Sequence, residues 1–349
     1  MKLFLTGVGG FLGSHLAAHW SAAGHDVYGA SRSGAVVPGL RRVLPFVLGQ
    51  PIHAEDLAGV DVVVHLAYDR KAGIHVNMDG TKLVYAAARA AGVPRQIFVS
   101  SYSARPESIA EYGRLKRQLE TYFLDRGETI VRPGLVIGSG GLFLRNMRKI
   151  LTSPVMPLLD GGRDLLPVVA VEDLAAAMTT LLESRVGGYN LFNPELVTMR
   201  RFIETINRAG RHRALYFSIP VSWATGLLSL SETLRIKLPF DSDNLRALKQ
   251  NQECIHQSDL ETLLPTYRSF QQMIAAAVAA AHVSAPSRDR KGAEGRNTPL
   301  NLRTDVWSLP PQAPRSLAPV REAKAADAGE LAGIVGRQGC AAAESRPGD

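Results

Sequence analysis

One octet limits the fold more than any other part of the chain. Thr6-Gly7-Val8-Gly9-Gly10-Phe11-Leu12-Gly13 stands between an apolar run at residues 2–6 and a helical pattern at 11–23. Its glycines serve separate physical ends. Gly7 permits a tight exit from a strand, Gly10 lets backbone amides approach a pyrophosphate, and Gly13 lets the next helix lie close on the sheet. The helix N-terminus behind them offers unpaired N–H groups and the positive end of a dipole. A strand before and a helix after separate a dinucleotide loop from an ordinary glycine turn. The octet therefore predicts a parallel α/β sheet holding a dinucleotide along Thr6, Gly7, Gly10, Phe11, Leu12 and Gly13.

The following residues keep the same alternation. Residues 26–30 read as a second strand, 42–48 as a third, and 61–66 as a buried fourth carrying Val62-Val63-Val64. A helix over 74–91 is stopped by Gly92-Val93-Pro94; a strand at 96–100, a helix at 109–125 and a strand at 128–136 follow. This is the pattern of a Rossmann-type, doubly wound parallel sheet. Beyond Gly138 the alternation weakens, with short strands at 168–171 and 189–192 around a helix at 172–183. Residues 1–197 are expected to form the dinucleotide domain, with 139–165 contributing to a substrate cleft. Residues 198–283 are expected to form a smaller, mostly helical substrate lobe. Residues 284–349 hold few large apolar side chains to offset their ordering entropy and read as a disordered tail.

The end of the second strand bears on the choice of dinucleotide. NAD sites place an acidic side chain there for the ribose diol, and this chain has Ser31-Arg32-Ser33 instead. A guanidinium beside hydroxyls suits a 2′-phosphate, so NADP is preferred to NAD, with Ser31 and Arg32 as contacts.

The fifth strand closes on Val99-Ser100-Ser101-Tyr102-Ser103, at the carboxyl edge where such sheets bind ligands. Downstream, Tyr112-Gly113-Arg114-Leu115-Lys116 puts a tyrosine and a lysine four apart on one helix face. A nearby ammonium favours tyrosinate and is expected to draw the phenol down from about 10 towards neutrality. Such a tyrosine can exchange a proton with a hydroxyl while hydride moves, and a serine can hold the same oxygen.

Together these segments resemble the extended short-chain dehydrogenase/reductases, the NAD-dependent epimerase/dehydratase family. The resemblance is carried by Thr6–Gly13, His65-Leu66-Ala67, Asn77-Met78-Asp79-Gly80-Thr81, Val99-Ser100-Ser101, Tyr112–Lys116, Arg132-Pro133-Gly134 and Val169-Ala170-Val171-Glu172-Asp173-Leu174. It implies Ser101 as the catalytic serine, with Ser103 as the alternative, Tyr112 as acid/base and Lys116 as its partner. It also implies Leu66, Ala67, Asn77, Ser100, Tyr112, Lys116 and Pro133 along the cofactor. The implied reaction is hydride transfer at a secondary alcohol or ketone, by an epimerase or a reductase, most of all on a nucleotide-linked sugar. A homodimer through paired helices is implied as well, and the apolar faces at 74–91 and 109–125 permit one. Four features depart from the family pattern. Ala104-Arg105-Pro106 stands where Val-Tyr-Gly is usual, and the serine-to-tyrosine loop is short. Leu135 replaces a substrate-contacting asparagine, and Tyr102-Ser103 replaces the acidic pair of a dehydratase.

Composition narrows the alternatives. The formal charge of +8 is scattered, which favours anionic small molecules over nucleic acid. Cys254 and Cys340 lie far apart and outside any CxxC pattern, as expected in a reducing compartment, and His65 reads as a packed strand residue rather than a metal ligand. Residues 1–7 reach polar and glycine positions too early for a secretory core, and the apolar run at 223–230 is too short to span a bilayer. The expected setting is cytoplasmic, with a small-molecule substrate and no membrane or nucleic-acid partner. A non-catalytic NAD(P)-binding sensor or assembly subunit is the competing class, and an intact Ser101, Tyr112 and Lys116 set argues against it.

Overall fold

The computed structural model describes residues 1–35, 37–183, 186–223 and 256–283. The tail expected to be disordered, both cysteines and most of the apolar run at 223–230 lie outside the described residues.

Seven parallel strands form the main sheet. In spatial order they are β11 (Gly187–Leu191), β6 (Thr129–Pro133), β5 (Arg95–Val99), β4 (Val62–His65), β1 (Lys2–Thr6), β2 (Asp26–Ser31) and β3 (Arg42–Pro45). The order reverses between β1 and β4, so the glycine loop leaves β1 at the point where such sheets open a crevice. Val62, Val63 and Val64 are all buried, as a strand covered on both faces requires.

Helices α1 (Phe11–Ala22) and α5 (Val171–Thr180) cover one face, and the Trp20 indole N–H donates to Thr179 Oγ1 at 2.9 Å between them. Helices α2 (Ile74–Ala90) and α3 (Glu111–Leu124) cover the other, where Phe123 stacks on Phe98 with ring centres 4.9 Å apart. The run expected as one strand at 128–136 divides into β6 and β7 (Leu135–Ile137) at Gly134. A side chain at Gly134 would meet the Pro167 carbonyl oxygen at 2.6 Å.

β7 pairs with β10 (Val168–Ala170) and leads into a second core. There α4 (Gly141–Thr152), α6 (Met199–Ala209) and a helix at Phe270–Val283 bury Phe143, Met147, Phe202, Phe270 and Ile274. Thr198 caps α6, its hydroxyl accepting from the Arg201 amide at 3.1 Å. Short strand pairs join this core as well. β8 (Val155–Leu159) pairs with β13 (Leu215–Ile219), and β9 (Leu165–Leu166) pairs with β12 (Val197–Thr198). These pairings join residues before and after the α5 crossover, so they are non-local and leave little local pattern. The chain then returns to the main sheet. Asn190 and Asp259 exchange hydrogen bonds along the β11 edge, and Leu260 and Leu263 enter the main core. Among the described residues, no helix is long and apolar enough to cross a membrane.

Candidate active site

Thr6 joins the ends of β1 and β4. Its buried hydroxyl accepts hydrogen bonds from the Leu66 and Ala67 amides at 3.1 and 3.2 Å. Gly7 follows at φ +73°, a conformation that disfavours a side chain. The Gly7 amide donates to Ala30 O, and the Gly10 amide to Gly7 O at 3.0 Å, so the loop is held by its own backbone. The Phe11 ring turns away from the loop and fills the Gly138–Gly141 turn, where a β-carbon on Gly140 would meet it at 2.6 Å. That turn packs on the first residue of α1.

The residues around this loop fit a dinucleotide. At the end of β2, Ser31 Oγ is buried without a hydrogen-bond partner, and a buried hydroxyl left so is costly unless a ligand answers it. Arg32 beside it is 70 % exposed, with Asp69 at 3.8 Å. The buried Asn77 amide is spent on the loop after β4. Its Oδ1 accepts from the Asp69 amide, and its Nδ2 donates to the carbonyls of Asp69, Ala72 and Gly73 at 2.9–3.3 Å. Pro133 closes β6 opposite Leu191.

At the carboxyl edge of β5, the Ser101 hydroxyl faces the Tyr112 phenol and acts to lower its proton affinity. Ser101 Oγ also accepts from the Ser103 amide at 3.2 Å, so Ser103 braces the serine that meets Tyr112. The short loop between them folds hard against the first turn of α3. A β-carbon on Gly113 would stand 2.5 Å from the Ser103 carbonyl oxygen. Lys116 is buried; its Nζ donates to Val99 O at 2.9 Å and lies 4.6 Å from the centre of the Phe98 ring.

The expectation that Lys116 draws the Tyr112 phenol towards neutrality is corrected by this geometry. Burial pushes the phenol above its ordinary value, against the Ser101 hydroxyl and the Arg70 guanidinium, which act downwards. The lysine stands 5.8 Å from the phenol ring centre, with its ammonium already committed to a carbonyl. Burial lowers Lys116 itself to about 8, opposed by the Glu120 carboxylate. Ser100, expected along the cofactor, turns its hydroxyl into the protein and donates to Glu120 Oε1 at 2.6 Å. His65 is held by Gln96 at 2.7 Å and lowered by burial to about 4, a neutral packed ring.

Three residues at this site escaped the sequence reading. Tyr68 meets Tyr112 edge to face with ring centres 5.0 Å apart, and burial raises its phenol to about 12. Its only sequence signal is that it follows Leu66-Ala67. Arg70 lies on the loop that Asn77 holds. Glu120 repeats the four-residue step from Tyr112 to Lys116, a spacing that could have marked it.

The profile of the NAD dependent epimerase/dehydratase family matches residues 3–193, from β1 to the end of the parallel sheet. The chain belongs to that family. Among curated members it is 35% identical over 201 residues to a ceramide reductase of Caulobacter vibrioides, covering 53% of this chain and 62% of that protein. It is 27% identical over 269 residues to the 4-hydroxy-2-methyl-3-oxo-4-farnesyl-3,4-dihydroquinoline-1-oxide ketoreductase of Stigmatella aurantiaca, covering 67% of this chain and 80% of that one. The solved structure of MoeE5 in complex with UDP-glucuronic acid and NAD superposes with a TM-score of 0.62 at 18% identity, over 81% of this chain and all of that one. At that identity the likeness is one of fold. The family takes its name from NAD-dependent epimerases and dehydratases.

Proposed function

We propose that this protein is a net reductase that delivers a hydride and a proton to a ketone. The observation that carries the reading is the meeting of Ser101 and Tyr112 at the carboxyl edge of β5, with Tyr112 packed on Tyr68 and Ser101 braced by the Ser103 amide, on the same sheet edge as the glycine loop. A phenol whose pKa burial has raised is protonated at neutral pH, so Tyr112 enters the reaction as an acid. Ser101 holds the substrate oxygen, and Tyr112 gives it a proton as negative charge develops there. When bound, the dihydronicotinamide supplies the hydride. Lys116 lies near Tyr112 as the cation that the resulting tyrosinate requires, and the Arg70 guanidinium favours the same anion. Carbonyl, hydride and proton together balance to the alcohol.

Ser31 and Arg32 support NADPH as the reductant. A 2′-phosphate would satisfy the orphaned Ser31 hydroxyl and pair with the exposed guanidinium. The substrate class follows the sequence relatives before the fold relatives. The curated proteins are named for reduction of a ceramide and of a farnesyl-bearing ketone, at higher identity than the UDP-sugar structure. Leu135, where the family pattern has a substrate-contacting asparagine, and the short loop after Ser101 suit an apolar ketone over a nucleotide-linked sugar.

The test is loss of NADPH absorbance with long-chain ketones and with UDP-keto sugars, together with identification of any nucleotide released on denaturation. NADPH turnover with an apolar ketone is the expected result. Tightly retained NAD with UDP-sugar interconversion and no net turnover would replace this reading with an epimerase.

A further inference from the structure

Behind the proposed catalytic residues lies a buried charged network that the hydride-transfer reaction does not itself use. Glu120 is fully buried on α3, one turn beyond Lys116. Arg132 of β6 grips it with two parallel hydrogen bonds, Nε to Oε1 and Nη2 to Oε2, both at 2.7 Å. The same carboxylate accepts from Ser100 Oγ at 2.6 Å and from Arg117 at 3.3 Å. Arg132 continues to Asn190 Oδ1 at 3.3 Å, and Asn190 is in turn held by Asp259. The network thus grips Ser100 just past β5, whose neighbours in the chain are Val99, the acceptor for Lys116, and Ser101, which faces Tyr112.

We infer that Glu120 is a positioning residue of the active site: clamped by Arg132 one turn beyond Lys116, it fixes the β5 end that presents Ser101 and sets its negative charge beside Lys116 on the same helix face. The inference rests on the reductase reading for the use made of those two residues, but its first readout does not. The groups facing Lys116 are Glu120, the phenols of Tyr68 and Tyr112, the Phe98 ring and the neutral His65. Those facing Glu120 are Ser100, Arg117 and Arg132. Among the groups around Lys116, Glu120 is the carboxylate that opposes its burial. A carboxylate serving only to neutralise Arg132 would need neither the Ser100 bond nor this position one turn from the lysine.

The experiment follows the Lys116 side chain by NMR through a pH titration of the full chain with isotope-labelled lysine, assigned by the signal lost in Lys116→Arg. Glu120→Gln keeps the shape and removes the charge. Without the carboxylate only burial acts on the ammonium, so the midpoint is expected to move about one pH unit towards acid. Ser100→Ala removes one hydrogen bond and no charge, and leaves the midpoint in place. Because Glu120→Gln strands a buried guanidinium and can fail to fold, Glu120→Gln with Arg132→Met removes both charges and is expected to show the same acid shift. With a ketone in hand, the alkaline limb of kcat moves with the Lys116 midpoint while KM for NADPH holds. An unchanged midpoint in a folded Glu120→Gln or double variant overturns the inference. Absence of any ketone turnover would sink the reductase reading and leave the titration standing.

Discussion

A β-carbon placed on Gly13 would stand 2.5 Å from the Gly7 carbonyl oxygen and 2.8 Å from the Val8 Cα. Both obstacles are backbone, so neither can swing aside. Gly13→Ala is therefore expected to push α1 off the loop, costing about 1–3 kcal/mol of stability. NADPH affinity should fall with it, because the amides that approach the phosphates belong to the displaced turn. Thermal unfolding and a fluorescence titration measure the two effects, and a variant with both unchanged would contradict the close approach.

Tyr112→Phe deletes the proposed acid while the ring can still meet Tyr68. Turnover is expected to drop about a hundred- to ten-thousandfold, the range for losing a general acid. NADPH binding should survive, since the loop and β2 are untouched. Steady-state kinetics beside the binding titration checks this. Full activity in the phenylalanine variant would move the proton donor elsewhere.

Arg32→Ala tests the nucleotide preference. Its guanidinium is mostly exposed, so solvent screens it and the loss should sit at the low end for a charged hydrogen bond. About a tenfold weaker Kd for NADPH is expected, with NADH unmoved. Raising the salt concentration should shrink the wild-type preference in the same direction. Equal losses for both nucleotides would remove Arg32 from the 2′-phosphate.

Acid should weaken the fold through His65. Its native pKa near 4 lies below the 6.5 of the unfolded chain, so the unfolded state takes the proton first. The contribution is whole above pH 6.5 and is lost as the pH falls towards 4, amounting to about 3 kcal/mol. Urea unfolding of the wild type and His65→Gln at both ends of that window isolates it. The variant should lose less stability on acidification than the wild type.

Much of the parallel-sheet half was legible because its signals are local. The glycine octet, the triple valine of β4 and the Gly92-Val93-Pro94 stop each constrain their own backbone whatever packs against them. The pairing of β8 with β13 and of β9 with β12 was not legible. Those strands are short, and their partners lie far along the chain, so no periodicity accumulates. At the site, the Tyr112 to Lys116 spacing marked two residues on one helix face. It could not say that burial would outweigh the lysine, because burial depends on what the loop at 101–110 lays over the helix.

The amino-acid order alone determined where the glycine loop lies, which strands are buried and which side chains share a helix face. Those properties follow from backbone freedom and from spacing along a helix or strand. Folding in three dimensions decided the partners: Thr6 for the Ala67 amide, Asp69 for Arg32, and Arg132 with Ser100 for Glu120. A partner is chosen by packing, and packing brings together residues whose separation in the chain carries no record of the contact. Proton affinities depend on packing in the same way, because they are set by the water excluded and the charges left nearby.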